Sequence, residues 1–309
     1  MIDRLYSESW DLLAIFDACR YDVFERVHSE YVAGSLEQVR SPGTGTPEFL
    51  QSAFLEPMDD VVYVSANPFV STTDSRLEEF DAGELFHDVY ELWDTDTDPD
   101  LGAVPPITVT KAIERATRKY PDKRIIAHYI QPHVPFLSHG KLNQPENFVL
   151  RDVDGDGVLA QRRNRLDNKL KGRLGKGRLW QLKRLLGLNA AEDMEVILQR
   201  GGHTALRGAY EHNLRCALYS VRDAIATVGG QSVLTADHGE LLGEENDFGH
   251  GLSRDHDVLR DVPWFTVDSE ATAEIDPTPP QERWVTKTSG ETVTDSVESR
   301  LSDLGYVNR

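Results

Sequence analysis

The chain has 309 residues, with 52 acidic against 33 basic side chains and a formal net charge of -19. That length holds one large α/β domain or two smaller ones, and 39% hydrophobic residues supply the apolar material for a core, which excludes a disordered chain. The acidic excess excludes general nucleic-acid binding, which rests on neutralising phosphates with Lys and Arg.

In chain order, Leu12 to Phe16 (LLAIF) predicts a short buried strand that ends at Asp17, and Tyr21 to His28 a helix after a loop. Val61 to Ser65 (VVYVS) predicts a second strand. Val109 to Tyr120 predicts a helix with exposed Lys and Arg, followed by a strand over Arg124 to Ile130 (RIIAHYI). Ala209 to Thr227 predicts a long helix with Leu214, Leu218, Val221 and Ile225 on one stripe. Ser232 to Thr235 and Val262 to Val267 (VPWFTV) add two more strands. Strands alternating with helices imply an α/β fold, a mostly parallel sheet covered on both faces.

Between about residues 143 and 203 this alternation breaks down. Residues 161 to 186 hold ten Lys or Arg and a single acid, Asp167, so a local charge of +9 stands against -28 for the rest of the chain. The stretch is read as a basic helical insertion on a single catalytic domain spanning 1 to 309. Leu166, Leu170 and Leu174, continued by Leu179, Leu182 and Leu186, form an apolar stripe opposite the basic face. Such a helix suits either an anionic membrane surface or lipid-linked substrate, or a solvated face paired with the acidic body of the same protein. DVDGDG at Asp152 to Gly157 opens like a calcium loop, but Arg163 stands where a bidentate Glu is required, so a polar turn is the default.

Several strands end in residues of unusual chemistry: Asp17 after LLAIF, Gln131 to His133 after IIAHYI, and Asp237-His238 after SVLTA. Ligands of open α/β sheets bind beyond the carboxyl ends of strands, so these ends should converge on one crevice. An Asp followed directly by a His at such an end offers a carboxylate oxygen and an imidazole nitrogen to one divalent cation. Gly239 would let the backbone turn sharply beside the pair, and His250, 12 residues after His238, can return to the same pocket.

The string Asp237-His-Gly-Glu-Leu-Leu-Gly-Glu244 with His250-Gly251 resembles the alkaline phosphatase superfamily, in particular its sulfatase-like branch, which includes phosphoethanolamine transferases. Three further segments resemble it in the expected order. Ile15-Phe-Asp-Ala-Cys-Arg-Tyr-Asp22 is similar to the first-strand motif, His128-Tyr-Ile-Gln-Pro-His-Val-Pro-Phe136 to the two-histidine segment, and Glu298 to Val307 to the closing helix and turn.

The resemblance implies an alkaline-phosphatase-like fold and a metal-dependent hydrolase or transferase acting on a phosphate or sulfate ester. It assigns Asp17, Asp237, His238 and the nucleophile to one cation. It assigns His133, His250 and, less firmly, His128 to a second cation or to the substrate's phosphate. The superfamily's nucleophile sits at a helix N-terminus, and Ser41-Pro-Gly-Thr-Gly-Thr-Pro-Glu-Phe49 is the segment of that kind between the first two predicted strands. Thr44 is favoured by its spacing from Pro42, with Thr46 the alternative. No Cys-x-Pro-x-Arg or Ser-x-Pro-x-Arg occurs there, so the formylglycine of typical sulfatases cannot be made from it. Mixed N and O ligands suit one or two ions of Zn or Mn better than Mg.

Plainer readings stand beside these. Asp17 would serve as a helix N-cap, His128 as a buried core histidine, and Cys19 and Cys216 as small core hydrophobes. His203, His212 and His256 match no motif position. A non-catalytic metal-binding relative on the same fold, or a sulfatase acting without formylglycine, are the alternative functions. No secretory signal or membrane-length apolar run is visible, which predicts a cytoplasmic protein, or one peripheral to the inner membrane surface, acting on an anionic small-molecule or lipid-linked substrate.

Overall fold

A computed structural model of the chain describes residues 1–73, 77, 80–99, 101–138, 190–251 and 256–280. Nine strands are assigned among them: β1 (Leu12–Phe16), β2 (Gly34–Arg40), β3 (Met58–Ser65), β4 (Phe86–Glu91), β5 (Arg124–Tyr129), β6 (Ser232–Ala236), β7 (Leu241–Leu242), β8 (Phe248–Gly249) and β9 (Asp261–Val267). Seven form one sheet in the order β2-β9-β6-β1-β5-β3-β4. The four pairings from β6 across to β4 are parallel, and β9 runs antiparallel to both β6 and β2. The expected mostly parallel α/β sheet is therefore present.

Both central strands are buried throughout, as continuous apolar runs require when a sheet is covered on both faces. The period of two sorts β1 between two cores: Leu12, Ala14 and Phe16 face one layer, Leu13 and Ile15 the other. Onto the first layer pack α2 (Tyr21–Val27), α6 (Pro106–Lys119) and α7 (Ala190–Val228), the last carrying the predicted stripe Leu214, Leu218, Val221 and Ile225. The second layer receives Leu5 of α1 (Ile2–Ser7) and Phe49, Leu50 and Ala53 of α3 (Thr46–Ala53). Short helices α4 (Ala82–Leu85), α5 (Leu92–Thr95), α8 (Asp257–Arg260) and α9 (Ser269–Glu274) complete the connections. No helix among the described residues is long and apolar enough to cross a membrane.

Two edge elements escape the hydrophobic pattern. Strand β2 reads GSLEQVR, mostly exposed, and is held by its antiparallel pairing with β9. Strand β4 reads FHDVYE, buried at Phe86, exposed at His87 and half-buried beyond, and pairs with β3. The long helix starts earlier than Ala209: it runs from Ala190 and breaks at Gly202, whose backbone leaves the helical region at φ 67°. The last part of the segment expected as an insertion, residues 190 to 203, thus belongs to this helical run. The polar loop 152–157, the basic stretch 161–186 and the closing segment 298–307 lie outside the described residues.

Candidate metal centre

The carboxyl ends of β6, β1, β5 and β3, adjacent in the sheet, deliver Asp237-His238, Asp17, the loop with His133, and Asn67 to one buried place. Helix α3 enters the same place with its first residue, Thr46, and Pro47 occupies the first turn, where a missing N–H costs nothing. The short β7–β8 pair turns the chain back so that Glu240 and His250 join from its two ends. Gly239 serves a role other than the sharp turn expected of it. A Cβ there would lie 1.9 Å from the carbonyl oxygen of Val258, so glycine admits the close pass of α8 behind the site.

Asp17, Asp237 and His238 bring one ligand atom each within 4.8 Å of one another, all buried. His238 Nε2 lies 3.6 Å from Asp17 Oδ1 and 3.5 Å from Asp237 Oδ2. Asp237 Oδ1 accepts from the backbone N–H groups of Ala18 and His238, and its Oδ2 accepts from the Thr46 hydroxyl at 2.6 Å. Asn67 Nδ2 donates to Asp17 Oδ2 at 2.7 Å and to Thr46 Oγ1 at 3.3 Å, while Asn67 Oδ1 accepts from Phe69 N, which fixes the amide's orientation. Asp17 Oδ1 has no hydrogen-bond partner.

His133, Glu240 and His250 form a second group of the same kind. His133 Nε2 and Glu240 Oε2 are buried without hydrogen-bond partners, and His250 Nδ1 lies 3.0 Å from Glu240 Oε1. The His250 ring is 5.1 Å from that of His133 and 4.3 Å from that of His238, so the two groups adjoin.

The electrostatics of both groups suit divalent cations. Burial and the neighbouring charge of Asp237 push the Asp17 carboxyl well up. Burial also works against Asp237, but His238, His128 and Thr46 outweigh it and hold this carboxyl down. Burial lowers His133 to about 3 and His238 to about 4, so both imidazoles are neutral near pH 7, the form that ligates metal. Each of these rings points Nδ1 at a backbone carbonyl, Val134 at 2.6 Å and Gly239 at 2.7 Å. The proton is therefore on Nδ1, leaving the Nε2 lone pair facing the site. Opposed buried carboxylates, orphaned ligand atoms and preset imidazoles together fit two cations.

No protein-family model matches the chain, and no curated protein does. Solved structures do resemble it. The C-terminal periplasmic domain of EptC from Escherichia coli, in complex with Zn, is similar at 14% identity and a TM-score of 0.44, over 86% of this chain and 75% of that one. The soluble domain of lipooligosaccharide phosphoethanolamine transferase A from Neisseria meningitidis is similar at 14% identity and a TM-score of 0.47, over 88% and 81%. A phosphonate monoester hydrolase from Silicibacter pomeroyi is similar at 14% identity and a TM-score of 0.39, over 85% and 68%.

Of the residues expected at the site, Asp17, Asp237, His238, His133 and His250 come together. Thr44 does not join them: its hydroxyl lies between Glu48 Oε2 at 2.9 Å and the Gly251 carbonyl at 3.0 Å, with one proton to give, and the hydroxyl beside Asp237 is that of Thr46. The reason is local. Helix α3 begins at Thr46, and Thr44 lies in the approach, where its N–H also bonds the helix's Glu48. His128 belongs to neither ligand group; it lies beneath the first, with Nε2 3.6 Å from Asp237 Oδ2 and Nδ1 3.0 Å from the Tyr63 hydroxyl. Asp17 is no helix cap, since α2 starts after Arg20 without a side-chain cap.

Glu240 and Asn67 are site residues without an assignment from sequence. Glu240 stood in the quoted string, two residues past His238, and could have been found there; Asn67 follows a predicted strand but carries no motif. Arg20 donates to Asp22, Glu244 and the Glu240 carbonyl, tying the β1 loop to the loop of the second group. Cys19 is buried, whereas Cys216 is half-buried with its sulfur 3.5 Å from His212 Nε2. His256 caps α8, accepting from Val258 N.

Proposed function

We propose that the chain is a metal-dependent enzyme that acts on a phosphate or sulfate ester, as hydrolase or transferase, with Thr46 as nucleophile. The observation that carries this reading is the Thr46 hydroxyl at the N-terminus of α3, 2.6 Å from Asp237 Oδ2 and 3.5 Å from His238 Nε2. An ordinary structural threonine has no need of a buried site shared with two carboxylates and an imidazole. The sequence resemblance and the zinc in the E. coli EptC complex point the same way.

Asp17, Asp237 and His238 would hold one cation, and His133, Glu240 and His250 a second. Bound there, divalent ions supply Lewis acidity that favours the ionised hydroxyl and offsets charge on the ester's non-bridging oxygens. The chain's own groups do the rest. Thr46 Oγ1 displaces the ester oxygen: one bond from phosphorus or sulfur to oxygen forms as another breaks. The threonine proton passes to solvent as the hydroxyl ionises and the departing alcohol takes one back, while Asp237 Oδ2, which accepts the Thr46 hydrogen bond, keeps the oxygen aimed. Asn67 Nδ2, aimed at Thr46 Oγ1, steadies the developing charge. Water or an acceptor hydroxyl then reverses the displacement and restores the threonine. An anionic small molecule or lipid-linked ester suits this centre, with Zn or Mn the ions its N and O donors favour. Whether residues 161–186 bring the enzyme to an anionic surface is tested by co-sedimentation with vesicles, with and without that stretch.

The decisive experiment is hydrolysis of a chromogenic phosphodiester and an aryl sulfate by wild type, Thr46→Ala, Thr44→Ala and Asp237→Ala. Loss of turnover in Thr46→Ala and Asp237→Ala with retention in Thr44→Ala is expected, and the faster substrate names the ester class. Full activity of Thr46→Ala overturns the nucleophile.

A further inference from the structure

Helix α7 reaches the centre with two buried polar side chains that ligate nothing, Tyr210 and Asn213. They are three residues apart, so they share one face of the helix and stand one turn from each other. Each holds a different loop. The Tyr210 hydroxyl donates to the Ala18 carbonyl and accepts from the Arg20 N–H at 3.0 Å, which spans the turn that follows Asp17. That turn is not self-supporting: Ala18 takes φ 60°, a left-handed conformation that a non-glycine residue keeps only when its surroundings impose it. The other constraint on Ala18 is its N–H bond to Asp237 Oδ1, a ligand atom's own carboxylate.

Asn213 does the same for the second loop. Its Nδ2 faces the carbonyls of Pro132, His133 and Pro135 at 3.3, 3.1 and 3.0 Å, and its Oδ1 accepts from Leu137 N at 2.7 Å. Four backbone groups of the segment around His133 thus converge on one side-chain amide. Backbone groups of a buried loop with no strand partner need such an acceptor and donor, and here one residue supplies both. The loops also touch directly, through the His133 N–H bond to the Asp17 carbonyl at 3.2 Å.

We propose that Tyr210 and Asn213 are positioning residues with divided labour. Tyr210 sets the turn that carries Asp17, in the first group, Asn213 sets the segment that carries His133, in the second, and helix α7 spans the two. This rests on the two-cation reading above. Outer partners that orient ligands typically change metal affinity by about 10- to 100-fold when removed. The division predicts that each residue weakens one cation and spares the other, a pattern that general loosening of the fold does not produce.

The test is calorimetric titration of the cation-stripped full chain with Zn(II), and separately with Mn(II), for wild type, Tyr210→Phe and Asn213→Leu. These variants keep side-chain shape while removing the hydrogen bonds. Wild type should bind two ions per chain. Asn213→Leu should weaken one of them about 10-fold or more, and Tyr210→Phe the other. The assignment is checked in a His133→Ala background: there Asn213→Leu should have no further effect and Tyr210→Phe its full effect.

If wild type binds no ion, the metal reading itself fails. Two ions bound by wild type with unchanged affinities in both variants overturn the positioning roles alone, as does equal weakening of both ions by each variant. Should Asn213→Leu not fold, Tyr210→Phe decides: unchanged affinity at the Asp17 group rejects the proposal.

Discussion

The two ligand groups differ in make-up although they adjoin. The first has two carboxylates and one imidazole, drawn from the ends of β1 and β6, which lie side by side in the sheet. The second has two imidazoles and one carboxylate, and its members come from loops: His133 beyond β5, Glu240 and His250 on either side of the β7–β8 pair. The first therefore sits at sheet ends and has the more carboxylates; the second sits on loops and has the more imidazoles, the softer donor set. The Thr46 hydroxyl lies against the first. On the proposed reading the roles divide accordingly, the first group activating Thr46 and the second facing the ester's charge.

The largest effects should separate binding from chemistry at the first group. Asp237→Ala removes a ligand, the acceptor of the Thr46 hydroxyl and the partner of the strained Ala18 N–H at once. It should lose both one cation, counted by elemental analysis, and turnover, by about 10³-fold or more. Thr46→Ala should lose turnover to a similar degree while retaining two cations. If Thr46→Ala instead drops a cation, the hydroxyl is itself a ligand of the first group.

Removal of both cations should cost stability. Opposed carboxylates in the first group and an orphaned Glu240 oxygen in the second then lack their counter-charge. At a free ion concentration 100-fold above the dissociation constant, each site contributes about 2.7 kcal/mol. For a chain of this size that is about 4 °C in melting temperature per site, read by thermal unfolding with and without a chelator. A further difference concerns selectivity. Two imidazoles should make the second group prefer Zn over Mn more strongly than the first, so competition titrations should show Mn leaving the second group first.

How much of this was legible depends on what held each part in place. Strands β1, β3, β5, β6 and β9 were readable because burial on both faces demands unbroken apolar runs, and the carboxyl-end rule then gathered Asp17, His133, Asp237 and His238. Strand β2 was not, because an exposed edge strand is held by backbone pairing with β9 and leaves little hydrophobic signal. Thr46 could not be preferred over Thr44 from spacing, since the choice turns on where α3 begins. Asn67, Tyr210 and Asn213 were invisible for another reason: they act through hydrogen bonds to residues 21 to 192 positions away, and no local pattern encodes such contacts.

Asn67 offers a moderate test. Asn67→Leu leaves Asp17 Oδ2 and Thr46 Oγ1 without their shared donor. A drop in kcat of about 10- to 100-fold is expected, with both cations bound, because the amide favours charge on the hydroxyl without being a ligand.

The smallest effect should lie one layer deeper, at Tyr63. Its hydroxyl is 3.0 Å from His128 Nδ1, and His128 Nε2 faces Asp237 at 3.6 Å, all three buried. Tyr63→Phe removes this end of the chain alone. The tyrosine donates to Nδ1 only if His128 carries its proton on Nε2, the nitrogen turned toward Asp237. The variant should therefore lose about 1 kcal/mol of stability, the usual worth of one hydrogen bond, and little turnover. A loss of turnover as large as that of Asn67→Leu would mean that the orientation of His128 controls Asp237, and that the first group depends on support from beneath as well as from Tyr210.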